Sequence, residues 1–200
     1  ADTPESAEIV LNDGTGRFAL GPADNPIRRA GEVAPRAGAA FVDFDRDGVI
    51  DLWVTNGASG GTPQQDRLWR GRGDGTFEDV TAAVGLTTRP WSSVQALNEA
   101  RAHSNAWSAA ACDLNDDGWP ELLAASYGRA PNHLWLGGPE GFTNRSVASG
   151  YAFDDRQDWT DNESARCWCM HHRDDPGCEG VPEPEYIACQ SDRGCGGITR

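Results

Sequence analysis

Apolar residues in this chain come in short runs separated by turn-forming residues, and nowhere does a helical period persist for long. Leu52 to Thr55 and Leu122 to Ala125 are too brief for stable helices, and Leu68-Trp69 and Leu134-Trp135 precede Gly-rich turns of the hairpin kind. The pattern predicts many short strands. One stretch, Trp91 to His103, with its Ala, Leu, Gln and Glu content, reads as a helical turn or a long excursion between strands. The longest apolar runs, such as Ala37 to Phe41 and Ala109 to Cys112, fall far below the roughly 18 residues that span a bilayer, so no membrane insertion is expected.

Self-comparison organises these strands. Ala39 to Val54 realigns on Ala109 to Ala124, Arg67 to Phe77 on His133 to Phe142 with one residue deleted, and Asp79 to Gly85 on Asn144 to Gly150. A partial third copy, Ile9 to Phe18, opens the chain with the second half of the unit and no acidic loop. Each full unit reads as strand, acidic loop, strand, variable turn, strand, Gly-rich hairpin, strand. Four short strands in a unit of this length is the arithmetic of a propeller blade. The expected fold is therefore all-β: a partial β-propeller of about two and a half blades over residues 1–150. Residues 151–200 form a Cys-rich, loop-rich insertion or the start of an interrupted further blade.

The chemistry of the repeat lies in its loops. Asp43, Asp45, Asp47 and Asp51 occupy positions 1, 3, 5 and 9 of the first, with Gly48 at position 6; Asp113, Asn115, Asp117 and Glu121 occupy them in the second, with Gly118. Side-chain oxygens at this spacing, joined by the position-7 carbonyls of Val49 and Trp119, can wrap one hard cation. Calcium suits them because it takes six to eight oxygens and tolerates irregular geometry. An EF-hand shares the opening but needs a bidentate Glu at position 12, where Val54 and Ala124 stand here. Two calcium sites are expected, each between two strands. The bland alternative is a pair of solvated Asp-Gly turns.

These loops, together with Leu68 to Thr81 and Leu134 to Ser146, resemble the FG-GAP/VCBS-type repeats of integrin α-subunit heads and of many secreted bacterial proteins. Gly73 to Thr81 is similar to the subgroup related to cartilage acidic protein and its bacterial relatives. The resemblance implies a propeller whose loop carboxylates bind calcium and stiffen each blade. Such propellers close with about seven blades, so the remainder of the ring is an expected partner: the same precursor, a partner fragment or an oligomer. A third acidic loop would fall near position 183, where Pro182 to Tyr186 stand instead. The interrupted repeat and the final Arg200 read as a fragment or cleavage product.

Composition narrows the function classes. There are 31 Asp plus Glu against 17 Lys plus Arg, all of the latter arginine, for a formal charge of -14. Without lysine there is no Schiff base and no Walker-type phosphate loop, and an acidic surplus with no basic patch disfavours nucleic acid as a partner. No nucleophile elbow, HExxH or dinucleotide fingerprint occurs, which favours binding over catalysis. The tail carries Cys167, Cys169, Cys178, Cys189 and Cys195, with His171 and His172 beside the first pair. Such a density fits disulfides in a secreted, periplasmic or cell-surface protein, or a zinc or copper site built from Cys167, Cys169, His171 and His172. Cys112 stands where the other repeat has Val42 and reads as a buried inert thiol or a bridge partner. His103 and His133 read as isolated surface or packing residues. Trp53, Trp69 and Trp135 belong to repeat strands and should be core, whereas Trp91, Trp107, Trp119, Trp159 and Trp168 are available to line a binding face.

Two functions follow from the residues. The first is a secreted calcium-stabilised propeller segment acting in adhesion, recognition or scaffolding, with a protein or glycan ligand. The second is a metal-handling protein or metalloenzyme whose Cys/His tail binds copper or zinc on the propeller scaffold.

Overall fold

The structure, a computed structural model, describes residues 8–28, 36–59, 62–127, 130–153, 160–185 and 189. It is mostly β. The hairpin β1 (Val10–Asn12) and β2 (Phe18–Leu20) comes first, followed by the 3-10 turn Pro26–Arg28. A first four-stranded antiparallel sheet contains β3 (Arg36–Val42), β4 (Asp51–Asn56), β7 (Arg67–Gly71) and β8 (Phe77–Asp79), hydrogen-bonded in that order. A small pair, β5 (Ala58–Ser59) and β6 (Thr62–Pro63), sits in the variable turn between β4 and β7. The second sheet repeats the arrangement with β9 (Ala106–Cys112), β10 (Glu121–Ser126), β11 (His133–Leu136) and β12 (Thr143–Asn144). Four strands per full unit, and a hairpin for the partial copy, are as the repeat predicted.

Helix α1 (Val94–Asn98) lies in the connection from β8 to β9, inside the stretch read as a helical turn. Ser93 caps it, its side chain accepting from the Ala96 N–H, which satisfies one of the amides left over at a helix start. Helix α2 (Glu163–His171) is capped in the same way by Asn162. The acidic loops connect β3 to β4 and β9 to β10, so each joins antiparallel neighbours, as expected.

All six residues of β4 are buried, because this inner strand is covered on both faces and does not alternate. Its two faces belong to different cores. Trp53 points into the core shared by the sheets, with Val42, Phe44, Leu68, Val80, Leu122, Ala124 and Trp135. Leu52 and Val54 face the other way, into a core with Trp69, Phe77, Ile27 and, at its margin, Ile9. At the repeat offset, Leu122, Ala124 and Trp135 are the counterparts of Leu52, Val54 and Trp69. The second sheet thus lays on the first the same face that the first sheet lays against the N-terminal segment. Trp53 ties the junction, its indole N–H donating to the Leu123 carbonyl at 3.0 Å. The opposite face of the second sheet is less covered: Leu123 and Leu134 are half-buried, whereas their counterparts Trp53 and Leu68 are each 0 % exposed.

Each unit closes with the same hydrogen-bonded corner. The Leu68 N–H donates to the Thr81 Oγ1 and the Thr81 N–H to Asp79; the Leu134 N–H donates to the Ser146 Oγ and the Ser146 N–H to Asn144. Gly71 ends β7 and its counterpart Gly137 follows β11, where the backbone passes the end of the acidic loop. A Cβ would lie 2.1 Å from the Ile50 carbonyl oxygen at Gly71 and 2.3 Å from that of Pro120 at Gly137. Only glycine fits.

Three expectations need correction. Cys112 is neither buried nor bridged, because it ends β9 at an exposed sheet edge. His103 and His133 are not isolated: they share a polar seam between the two units, buried at His133 and half-buried at His103. The Asp66 Oδ1 accepts from the Asn56 N–H at 2.7 Å, and the His133 Nδ1 lies 4.0 Å from the Asp66 Oδ2 and 3.3 Å from the Ser104 Oγ. The His103 Nδ1 is 2.6 Å from the Thr88 Oγ1. Burial first, and the His133 charge second, push His103 down to about 4; burial raises Asp66. Trp168, offered as a binding-face residue, instead belongs to a core made by α1 and α2 with Val94, Leu97, Cys167, Cys169 and Cys178. Trp107 is exposed, and Trp159 lies outside the described residues.

Candidate metal centre

In the loop from β3 to β4, backbone geometry and side-chain acceptance act together. Arg46 at position 4 and Gly48 at position 6 adopt left-handed φ of 62° and 82°; Asp116 and Gly118 repeat this at 60° and 86°. These bends fold the chain back on its first residue. The Asp43 carboxylate accepts from the Asp47 and Gly48 N–H groups at 3.1 Å each, and the Asp47 Oδ1 accepts from the Val49 N–H at 2.8 Å. The second loop copies these bonds: Asp113 accepts from Asp117 and Gly118 at 3.2 and 2.8 Å, and Asp117 accepts from Trp119 at 2.8 Å. The two loops lie side by side, with the Arg46 guanidinium 5.2 Å from the centre of the Trp119 ring.

The fold gathers Asp43, Asp45 and Asp47, each offering a carboxylate oxygen, with all three oxygens within 4.8 Å of one another. A Ca–O bond is about 2.3 to 2.6 Å, so oxygens opposed across one ion stand about 4.6 to 5.2 Å apart, and the cluster has the right scale. In the second loop Asn115 bridges to Asp117 through its side-chain amide at 3.0 Å. The position-9 residues are placed differently. Asp51 is 0 % exposed, and its two oxygens accept from the Phe44 N–H at 2.9 Å and the Gly71 N–H at 2.8 Å. Burial is the main reason its pKa is raised; the two amides oppose this, and the charges of Asp45 and Asp47 add to it. Glu121, 1 % exposed, accepts from the Leu114 N–H at 2.6 Å through Oε2. Each position-9 side chain therefore props its loop from below.

The donor set fits a hard divalent cation. All side-chain donors are oxygens, most of them carboxylate, and each loop keeps one buried oxygen with no hydrogen-bond partner: the Asp45 Oδ1 and the Glu121 Oε1. An orphaned buried acceptor is costly unless something positive meets it.

The tail cysteines pair as Cys167–Cys189 and Cys169–Cys178, while Cys195 lies outside the described residues. His171 lies within 4.8 Å of both sulfurs of the first bridge, but bridged sulfurs carry no thiolate charge. His172 is drawn off to stack on the Trp168 ring at 3.7 Å. Disulfides fit an oxidising compartment, and no helix among the described residues is long and apolar enough to cross a membrane.

Gly71 and Gly137 were not singled out from sequence as site residues, although both align in the repeat. The first is the donor that holds Asp51. Arg70 was missed as well; it forms an ion pair with Asp45 at 2.8 Å. No curated protein matches the chain. A family model described as FG-GAP-like repeat matches residues 43–97, starting on the first loop aspartate and ending within α1. Residues 43–97 of this chain are therefore an FG-GAP-like repeat, a type that is typically calcium-binding.

Proposed function

We propose that this chain is a segment of a secreted calcium-binding β-propeller in which each acidic loop holds one structural Ca²⁺, and that it serves adhesion, recognition or scaffolding. The observation that carries the reading is the convergence of the Asp43, Asp45 and Asp47 oxygens on a point of calcium size. A bound cation would neutralise carboxylates that otherwise repel one another and fix the β3–β4 and β9–β10 connections. The common stacking of the two sheets and the incompletely covered Leu123–Leu134 face support a further blade beyond the second sheet. The rest of a ring, from the same precursor, a partner fragment or another copy, is the natural occupant of that face.

Thermal melting in chelator and in millimolar calcium tests the reading. Saturation at 100 times Kd would add about 2.7 kcal/mol per site, or about 5 kcal/mol for two, and raise Tm by roughly 10 °C or more. Equal melting temperatures in both buffers, with no calcium taken up, would remove it.

A further inference from the structure

We infer that Arg70 is a built-in counter-cation of the first acidic loop and sets its calcium affinity equal to that of the second; this rests on the calcium reading above. Arg70 lies near the end of β7, one residue before the glycine that binds Asp51. Its Nη2 sits 2.8 Å from the Asp45 Oδ2, and its guanidinium lies 5.2 Å from the centre of the buried Phe44 ring. The side chain is held by an ion pair on its edge and an aromatic face beneath it, so it is a fixed charge. Arg46, the loop's other guanidinium, is occupied over Trp119 of the second loop.

The repeat supplies the comparison. Position 3 is Asp45 in the first loop and Asn115 in the second; the counterpart of Arg70 is Leu136. Where the first unit has an acid and a base, the second has two neutral residues. Positions 1, 5 and 9 carry the same three acids, Asp43, Asp47 and Asp51 in one loop and Asp113, Asp117 and Glu121 in the other; position 4 is Asp116 in the second loop and, in the first, Arg46, whose guanidinium lies over Trp119 of the second. Calcium affinity in acidic loops follows the number of charged ligands. An uncompensated Asp45 would make the first site the tighter, and Arg70 cancels that surplus. The second loop reaches the same balance with its fourth acid, Asp116, at position 4 and Arg46 lying over its Trp119, so each loop sets four acids against one arginine.

The test uses the whole chain with the second loop silenced by Asp113→Ala and Asp117→Ala, both exposed positions, and titrates calcium against a chelating indicator. Arg70→Leu, and Arg70→Gln as a variant that keeps more of the stem, should each tighten binding at least tenfold. Asp45→Asn alone, which leaves Arg70 uncompensated, should weaken it at least tenfold. Arg70→Leu with Asp45→Asn rebuilds the second loop's pattern and should return to within about threefold of the parent. Melting in chelator checks that each variant is folded. If the parent binds calcium and both Arg70 variants bind no tighter, the inference is overturned; if folded parent and variants all fail to bind calcium, the calcium reading falls and the inference with it.

Discussion

Asp51→Asn separates a loop prop from a metal ligand. Both Asp51 oxygens accept backbone N–H groups, at 2.9 Å from Phe44 and 2.8 Å from Gly71, inside a fully buried site. Asparagine offers one acceptor oxygen and turns an NH₂ toward the other amide, so one buried N–H loses its partner. That costs about 1 to 3 kcal/mol. Removing the charge works the other way, because burial and the neighbouring Asp45 and Asp47 disfavour the carboxylate, as its raised pKa shows. The expected net loss is about 1 to 2 kcal/mol with no metal present. Urea unfolding followed by tryptophan fluorescence in chelator reads it as a midpoint lower by about 0.5 to 1 M, taking a slope of about 2 kcal/mol per M. Asp47→Asn is the control. Its side chain is exposed, and an asparagine oxygen can still accept from Val49, so stability in chelator should stay within about 0.5 kcal/mol while much of the calcium-induced gain at the first loop disappears. If Asp51→Asn in chelator is as stable as wild type or more so, Asp51 is not a prop.

Other measurements reach different parts of the molecule. His103 is depressed to about 4 in the fold against 6.5 unfolded, so the unfolded chain takes up the proton first and stability should fall as pH drops from about 6.5 to 4. The shift would be worth about 3 kcal/mol at face value and about 1 to 2 after screening of this partly exposed ring; His103→Gln should flatten that limb, with the opposite-signed Asp66 contribution common to both proteins. Gly71→Ala and Gly137→Ala force a Cβ onto a backbone oxygen and should each cost about 2 kcal/mol or more in denaturant unfolding; a cost below about 0.5 would show that the close approach relaxes freely. Thiol blocking under denaturing conditions without reductant should label at most Cys112 and Cys195, and all six cysteines after reduction; six labels beforehand would contradict both bridges.

The sequence by itself determined the repeat, its four strands per unit and the oxygen-bearing loops, because each is written in residues close along the chain. Asp43, Asp45 and Asp47 fall within five residues, and Gly48 marks the bend that brings them together. Even the corner Asp79 to Thr81 with Leu68 is legible, since Asn144 to Ser146 with Leu134 repeats it. The tertiary structure decided which way side chains with two possible employments turn. Asp51 reads as a ligand by spacing, and the backbone N–H groups of Gly71, twenty residues away, and Phe44 that its oxygens also accept are seen only in the fold. Asp66 and His133 are 67 positions apart and meet only where the two units pack. Cysteine density fitted either bridges or a metal site, and the pairing of Cys167 with Cys189 and of Cys169 with Cys178 depends on where α2 places them. Arg70 looks like an ordinary strand cation until the hairpin sets it beside Asp45, so its role was invisible before the fold. Local spacing fixes what a loop can hold; contacts between distant segments fix the charge and the support it holds it with.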